Sequence, residues 1–484
     1  MKSAILNLGK DTVIYGLGTA INRFVGLLML PLFTSYLNPE EYGILAMLAL
    51  LNLVIQPVFS LGMSVAMGAS YFEQMTLRNH STVLWTVATI NFISAALLIL
   101  IAFLFSKHIA KLISLDEEHS LLILLTMLGL AATIVSTGFM QKLQFDKKAS
   151  TFALVSVLSS LSAVIISSYL VIFQNFGVLG MVFGQVTGSL LSCLFFIIFG
   201  SAGTHFIYKH SVAKELLKLG IPMVPSFAFL FIIMHANKYV LEYYSGLDAV
   251  GIYSIGYNLG MAISLITSAV STAWYPFFMS YINKNDEAKS VFPKIFQYYF
   301  YFVGLICVCF FLFAKPIIIF LTEPSFHDAW MVVGFIAVAN FFGAAFNFLL
   351  PGIYFKKEVM FVSLLQGITV CLSLPVTFFL IKKFSIVGAG MSVVYGNLLM
   401  LLILGLWNYH RRHNYIAIDY GYRHIMKIIF SYVALLAAFH SLPIYSVIEH
   451  IAVALCILCL ICCYLYFFVF KKEKYPFKVS KGVN

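Results

Sequence analysis

About fourteen long apolar segments run through this chain, joined by loops too short to fold on their own. Inside hydrocarbon every backbone N–H and C=O must find a partner within the protein. Segments near the ~20 residues needed to cross a bilayer therefore fold as helices. The expected spans are 12–36, 42–70, 82–105, 120–140, 149–173, 177–200, 220–243, 249–280, 292–313, 329–350, 359–380, 386–408, 425–443 and 447–470. Only 10% of residues are charged and 61% are hydrophobic, whereas a soluble domain carries about 25% charge. The expectation is an all-α integral membrane protein whose chemistry takes place in or beside the bilayer. Met1–Asp11 lacks the small-residue cleavage site of a signal peptide and is read as a short cytoplasmic tail leading into a retained span.

A net charge of +11 would suggest nucleic acid in a soluble protein. Here topology accounts for it, and no nucleic-acid partner is expected. With the N-terminus inside, only Lys107, Lys111, Lys315, Lys382 and Lys383 fall in outer loops, while most other basic residues gather on the inner side. That bias places both termini in the cytoplasm. Several outer loops are instead acidic, as at Glu40-Glu41 and Asp116-Glu117-Glu118. The eight cysteines lie within spans. Cys456, Cys459, Cys462 and Cys463 have metal-like spacing but no His or carboxylate beside them, so they read as small packing residues. No metal and no cofactor is expected.

The chain repeats at an offset of 208. Tyr36, Gly43 and Ile44 match Tyr244, Gly251 and Ile252, and Phe176, Gly180, Val186 and Gly188 match Phe384, Gly388, Val394 and Gly396. Six spans per unit is even, so both copies enter from the same side. The organisation expected is two parallel six-helix lobes, 1–208 and 209–414, followed by 415–484 with two C-terminal helices and a basic cytoplasmic tail. Parallel repeats suit a binding site between halves and alternating access. Lys209, Lys214 and Lys218 punctuate Val212, Leu216, Leu217 and Leu219, which reads as an interfacial helix opening the second lobe. Pro31 in the first span and Pro222 and Pro225 at the start of the seventh are hinge candidates, with static kinks as the alternative. Gly180, Gly184 and Gly188 form a small-residue stripe suited to close helix packing.

Two cations, Arg23 and Lys238, fall well inside spans, and no anion does. A charge at mid-bilayer costs at least ~2.5–3.5 kcal/mol, which makes each a functional candidate. Arg23 lies twelve residues past Asp11, about 18 Å along a helix, on a face with Gly16, Thr19, Ala20 and Gly26. Its guanidinium fork matches phosphate. Lys238 sits roughly 10 Å nearer the outer face, with His235 three residues before it on the same face. Snorkelling to the interface is its alternative role. Asn22 and Asn237 adjoin the two cations. Gln56 and Asn258 are further cavity-lining candidates, and Asn52, Gln185, Asn340, Asn347 and Gln366 are weaker ones, each as suited to bonding a neighbouring helix. No Gly-rich phosphate loop, metal motif or nucleophile elbow is present, and no soluble domain for a transferase or polymerase, so no enzyme is expected.

The run ELLKLGIPMVPS (Glu215–Ser226) resembles the start of the second lobe in polysaccharide flippases. These belong to the multidrug/oligosaccharidyl-lipid/polysaccharide exporter superfamily. KYVLEYYSGLDAVGIYSIGY (Lys238–Tyr257) and PLFTSYLNPEEYGI (Pro31–Ile44) are similar to stretches of the same family. The resemblance implies a flippase that carries an undecaprenyl-pyrophosphate-linked oligosaccharide, such as an O-antigen or capsule repeat unit, across a bacterial inner membrane. It implies a cationic central cavity, with Arg23 and Lys238 as pyrophosphate-binding residues. It also implies membrane lipids and a polysaccharide polymerase or assembly machinery as partners. A multidrug exporter, a lipid II flippase, and a membrane-embedded polysaccharide polymerase or transferase remain as alternatives. The absence of an acid from the first span counts against the drug-exporting branch.

Overall fold

The structure is a computed structural model. It describes residues 21, 24–73, 77–146, 148–281, 285–355, 360–410, 418–440 and 447–465. Among these, all regular structure is helical. The helices are α1 (Leu30–Tyr36), α2 (Pro39–Ser60), α3 (Met63–Glu73), α4 (Leu77–Leu112), α5 (Ser120–Phe145), α6 (Ala149–Ile172), α7 (Gly177–Ser201), α8 (His210–Gly220), α9 (Val224–Gly260), α10 (Ser264–Met279), α11 (Asn285–Leu321), α12 (Trp330–Phe348), α13 (Pro351–Phe355), α14 (Met360–His410), α15 (Tyr422–His440) and α16 (Val447–Leu465).

Ten helical stretches among the described residues are long and apolar enough to cross a membrane. Two of them, of 49 and 50 residues, are each interrupted by one non-helical residue: Gly246 (φ 78°) in α9 and Ser385 (φ 46°) in α14. Both reversals fall where short loops are expected between spans, and the hydroxyls of Ser245 and Ser385 lie 2.9 Å apart in a hydrogen bond. Large exposed side chains such as Phe103, Phe173, Phe320 and Phe430 form the surface that a bilayer would cover.

Not every expected span is one continuous α-helix. The stretch 249–280 passes through a 3-10 turn at Met261–Ile263 between α9 and α10. The stretch 42–70 breaks into α2 and α3 at Leu61 (φ 51°) and Gly62 (φ 66°). Two successive residues in the left-handed region end a right-handed helix. A Cβ on Gly62 would also collide with the carbonyl oxygen of Gly220, at the end of α8. The start of α2 carries a reciprocal capping box. Asn38 Oδ1 accepts from the Glu41 backbone N–H and Glu41 Oε2 accepts from the Asn38 N–H, each at 2.9 Å, with Pro39 opening the helix.

The chain divides into two compact units. The first comprises described residues within Met1–Ile255, Leu321–Asp328 and Gln366–Ser392. In it the glycine stripe of α7 lies against α6: a Cβ on Gly180 would meet Leu170, on Gly184 Ser167 and Ala163, and on Gly188 Ala163 and Ser159. Gly43 and Gly251, partners at the 208-residue offset, pack on one another. A Cβ on Gly43 would strike the Leu247 carbonyl, and one on Gly251 the Pro39 carbonyl and, at 2.9 Å, the Gly43 nitrogen. Gly388 approaches Leu380 and Ile381 much as its partner Gly180 approaches Leu170 and Val171.

The second unit comprises described residues within Gly256–Phe320, Ala329–Leu365 and Val393–Asn484. Its core is aromatic, with Trp274, Phe278, Phe292, Phe296, Tyr299, Phe341, Phe348 and Tyr420 all buried. Their polar atoms close the C-terminus of α12. Trp274 Nε1 donates to the Asn347 carbonyl (3.0 Å), the Tyr420 hydroxyl to the Phe348 carbonyl (2.8 Å) and Asn408 Nδ2 to the Leu349 carbonyl (2.8 Å). The last carbonyls of a helix have no partner within it, and side chains supply one here.

Candidate functional site

The first unit contains a cavity of about 540 Å³, built from five helices and lined by hydroxyls and amides. That volume falls within the ~300–1,000 Å³ of small-molecule sites. Gln56 and Ser60 come from α2 and Ser64 from α3, on either side of the break at Leu61–Gly62. Thr133, Ser136, Thr137 and Met140 follow one face of α5. Ser159, Ser160 and Ala163 come from α6, and Gln185, Gly188, Ser189, Ser192 and Phe196 from α7. None of these lining residues carries a formal charge.

Four of the hydroxyls are oriented by their own helices. Thr133 donates to the Gly129 carbonyl (3.0 Å), Ser136 and Thr137 to that of Thr133 (2.9 and 2.8 Å), and Ser60 to that of Pro57 (3.3 Å). A hydroxyl has one hydrogen and two lone pairs. Each bond to the helix uses the hydrogen and leaves the oxygen as an acceptor. The wall therefore suits a ligand rich in O–H donors, with Gln56 and Gln185 offering both donor and acceptor. Ser159 Oγ is buried and has no hydrogen-bond partner.

The mouth of α3 is tied to α5. Gln141 Nε2 donates to the Ser64 carbonyl (3.2 Å), the Tyr71 hydroxyl to Asp146 Oδ1 (2.8 Å) and Lys142 Nζ to Asp146 Oδ2 (2.7 Å). His80 stacks on Tyr71 with centroids 4.2 Å apart. Burial opposes ionisation of Asp146, but the Lys142 ammonium and Tyr71 hydroxyl outweigh it and hold the carboxyl below its usual value. A carboxylate with a depressed folded value contributes fully above its unfolded pKa of ~3.9 and loses that contribution as pH falls through the lower folded value. Asp146→Asn is expected to cost about 2 kcal/mol at pH 7, because it leaves a buried Lys142 without its counter-charge. Melting curves of both proteins at pH 7 and pH 3.5 check this. The gap between them should shrink at the lower pH.

A second polar group lies in the same unit. Asn237 and Lys238 are both buried, at 4% and 7% exposure. Asn237 Nδ2 donates to the Tyr253 hydroxyl (2.5 Å) and the Ala389 carbonyl (3.4 Å), while its Oδ1 has no hydrogen-bond partner. Lys238 Nζ lies 6.0 Å from the centroid of the Tyr253 ring, and the His235 ring lies 5.5 Å from that of Phe231. A buried ammonium and a buried amide oxygen thus lie adjacent in sequence.

The structure thus gathers Asn237 and Lys238 around Tyr253, with His235 one helical turn before Lys238, and sets Gln56 in the hydroxyl cavity. Asn258 is exposed on the part of α9 that belongs to the second unit. Pro31 lies in the first turn of α1, Pro222 in a 3-10 turn ahead of α9 and Pro225 in the first turn of α9. Asn22 and Arg23 lie outside the described residues. The hydroxyl set escaped the sequence reading, apart from Gln56 and Gln185. Its signal was the helical spacing of small polar residues, as in Thr133, Ser136, Thr137 and Met140, or Gln185, Ser189 and Ser192.

A multi-pass bundle of long apolar helices with polar groups buried among them defines an integral membrane protein. The chain matches the family "Polysaccharide biosynthesis protein" over residues 8–282 and belongs to it. It is 21% identical over 343 residues to the succinoglycan biosynthesis transport protein ExoT of Rhizobium meliloti (strain 1021), covering 70% of this chain and 66% of that one. The chain thus spans just under two thirds of this relative's length. Its fold is that of the lipid II flippase MurJ in an inward closed conformation (TM-score 0.74, 14% identity, 95% of this chain and 100% of that one). It is also that of a multidrug resistance MATE family transporter of the MOP superfamily in an inward-facing conformation (TM-score 0.64, 15% identity, 84% and 98%).

Proposed function

We propose that this protein is a flippase that carries an undecaprenyl-pyrophosphate-linked oligosaccharide repeat unit from the inner to the outer leaflet of a bacterial inner membrane. The observation that carries this reading is the uncharged, hydroxyl-lined cavity in a chain of the polysaccharide biosynthesis family. Oriented acceptor oxygens complement sugar hydroxyls. The absence of any acid from the lining residues argues against a site for cationic drugs. The ExoT relative, a succinoglycan transport protein, supports a sugar-containing substrate.

In this mechanism Arg23 and Lys238 take the pyrophosphate, the hydroxyl cavity receives sugar residues, and the prenyl tail stays in lipid. The lobes 1–208 and 209–414 rock about Pro31, Pro222 and Pro225 to expose the path to each side in turn. A membrane potential negative inside favours the outward step. A headgroup of charge near −2 gains on the order of 4–5 kcal/mol per 100 mV if it crosses the whole field.

Complementation of a flippase-null strain tests the proposal, scored by surface polysaccharide at matched protein levels. Wild type should restore the polymer, Arg23→Ala should lose at least tenfold, and Arg23→Lys should recover part of it, since an ammonium replaces the fork by a point charge. Full activity in Arg23→Ala would remove that residue from the mechanism. Failure of wild type across several sugar backgrounds would overturn the substrate class.

A further inference from the structure

Helix α8 has two faces. Ala213, Leu216 and Gly220 are buried, with Leu216 in one cluster with Met63, Met67 and Leu84 of α3 and α4. The opposite face presents His210, Lys214 and Lys218 at four-residue spacing, all exposed, with exposed Lys209 just before the helix. None of the three lysines forms an ion pair among the described residues, although Glu215 lies on the same helix. Large apolar side chains flank this basic stripe in the open: Phe206 at 68% exposure, Leu219 at 43% and Ile221 at 51%. The approach to the helix is fixed by Trp85, whose indole N–H donates to Thr204 Oγ1 (3.2 Å) and whose ring meets Phe206 edge-on at 5.2 Å.

A basic stripe bordered by exposed apolar groups is what a helix lying in a headgroup layer presents. The distribution of basic residues along the chain puts this segment on the cytoplasmic side. There the leaflet carries anionic lipid, and each juxtamembrane lysine raises its occupancy about fivefold. We propose that the outer face of α8, through Lys214 and Lys218 supported by Lys209 and His210, is a docking surface for anionic phospholipid headgroups of the cytoplasmic leaflet. The inference stands on the exposed face of α8 and does not depend on what the protein transports. It has a mechanical consequence. Gly220 abuts the Leu61–Gly62 break, and Ser60 and Ser64 on either side of that break line the cavity. A helix held by the leaflet props one wall of the polar cavity.

Native mass spectrometry of the full chain, reconstituted with equal phosphatidylglycerol and phosphatidylcholine, tests this. Wild type should retain phosphatidylglycerol in preference. Lys214→Gln/Lys218→Gln should lose roughly 25-fold of the occupancy at this surface, while Lys214→Arg/Lys218→Arg retains it. Equal retention of the two lipids by wild type overturns the proposal, and so does undiminished phosphatidylglycerol binding by the glutamine pair. Should the glutamine pair misfold, Lys214→Gln alone keeps the test decisive, with an expected loss of about fivefold and undiminished binding overturning the proposal. Displacement of the lipid by inorganic pyrophosphate at constant ionic strength would assign the surface to soluble phosphate and also overturn it.

Discussion

Gly184→Leu is expected to abolish recovery of folded protein. A Cβ at this position would overlap Ser167 Oγ and lie 2.6 Å from the Ala163 carbonyl oxygen and 2.7 Å from the Ser167 nitrogen, two of them backbone atoms of α6. No rotamer change relieves a clash with backbone, so α6 and α7 must move apart. In a membrane, where lipid tails are as apolar as leucine, helix association depends on that close fit. Overpacking by a single methyl already costs about 1–3 kcal/mol, so Gly184→Ala should lower the melting temperature measurably, and the branched side chain should exceed what the fold tolerates. Gly68→Ala is the control. Its new Cβ would meet only the Phe145 ring edge at 3.8 Å, and alanine favours helix by up to ~1 kcal/mol. Size-exclusion profiles of detergent extracts should therefore show Gly68→Ala as wild type and Gly184→Leu as aggregate. A monodisperse Gly184→Leu of normal stability would mean that the α6–α7 contact is dispensable.

The helical membrane fold was legible because charge is so costly in hydrocarbon that its absence marks the spans. Gly43 and Gly251 stood out as a pair at the 208-residue offset, and both are places where backbones touch. The amphipathic α8 was legible from three lysines. The break at Leu61–Gly62 was not, since one leucine in the left-handed region leaves the apolar pattern unbroken and the clamp on Gly220 is a contact across more than 150 residues. The hydroxyl cavity was hidden for a related reason. A serine or threonine bonded to its own helix costs little in an apolar span, so Thr133 or Ser189 stands out only when packing brings four other helices to it. Lys238 announced itself as a charge, but its burial beside Asn237 and Tyr253 depended on residues as distant as Ala389.

Lys238→Met is expected to cut transport without a comparable loss of stability. Lys238 is only 7% exposed, and its ammonium lies 6.0 Å from the centroid of the buried Tyr253 ring. Taking an ion from water costs several kcal/mol, a cost that an apolar side chain of similar volume does not carry. The variant forfeits the contact with the Tyr253 ring, worth roughly 0.5–2 kcal/mol, and the two effects oppose one another. The melting temperature should therefore stay within about 4 °C of that of wild type. If the ammonium is retained to meet a negatively charged substrate, polysaccharide export at matched protein level should fall at least tenfold, and Lys238→Arg should restore part of it. A scaffold role predicts the opposite pairing, with lower stability and export lost only in proportion. Unchanged export in a stable Lys238→Met protein would remove this lysine from the substrate path and leave Arg23 as the cation on which the pyrophosphate reading rests.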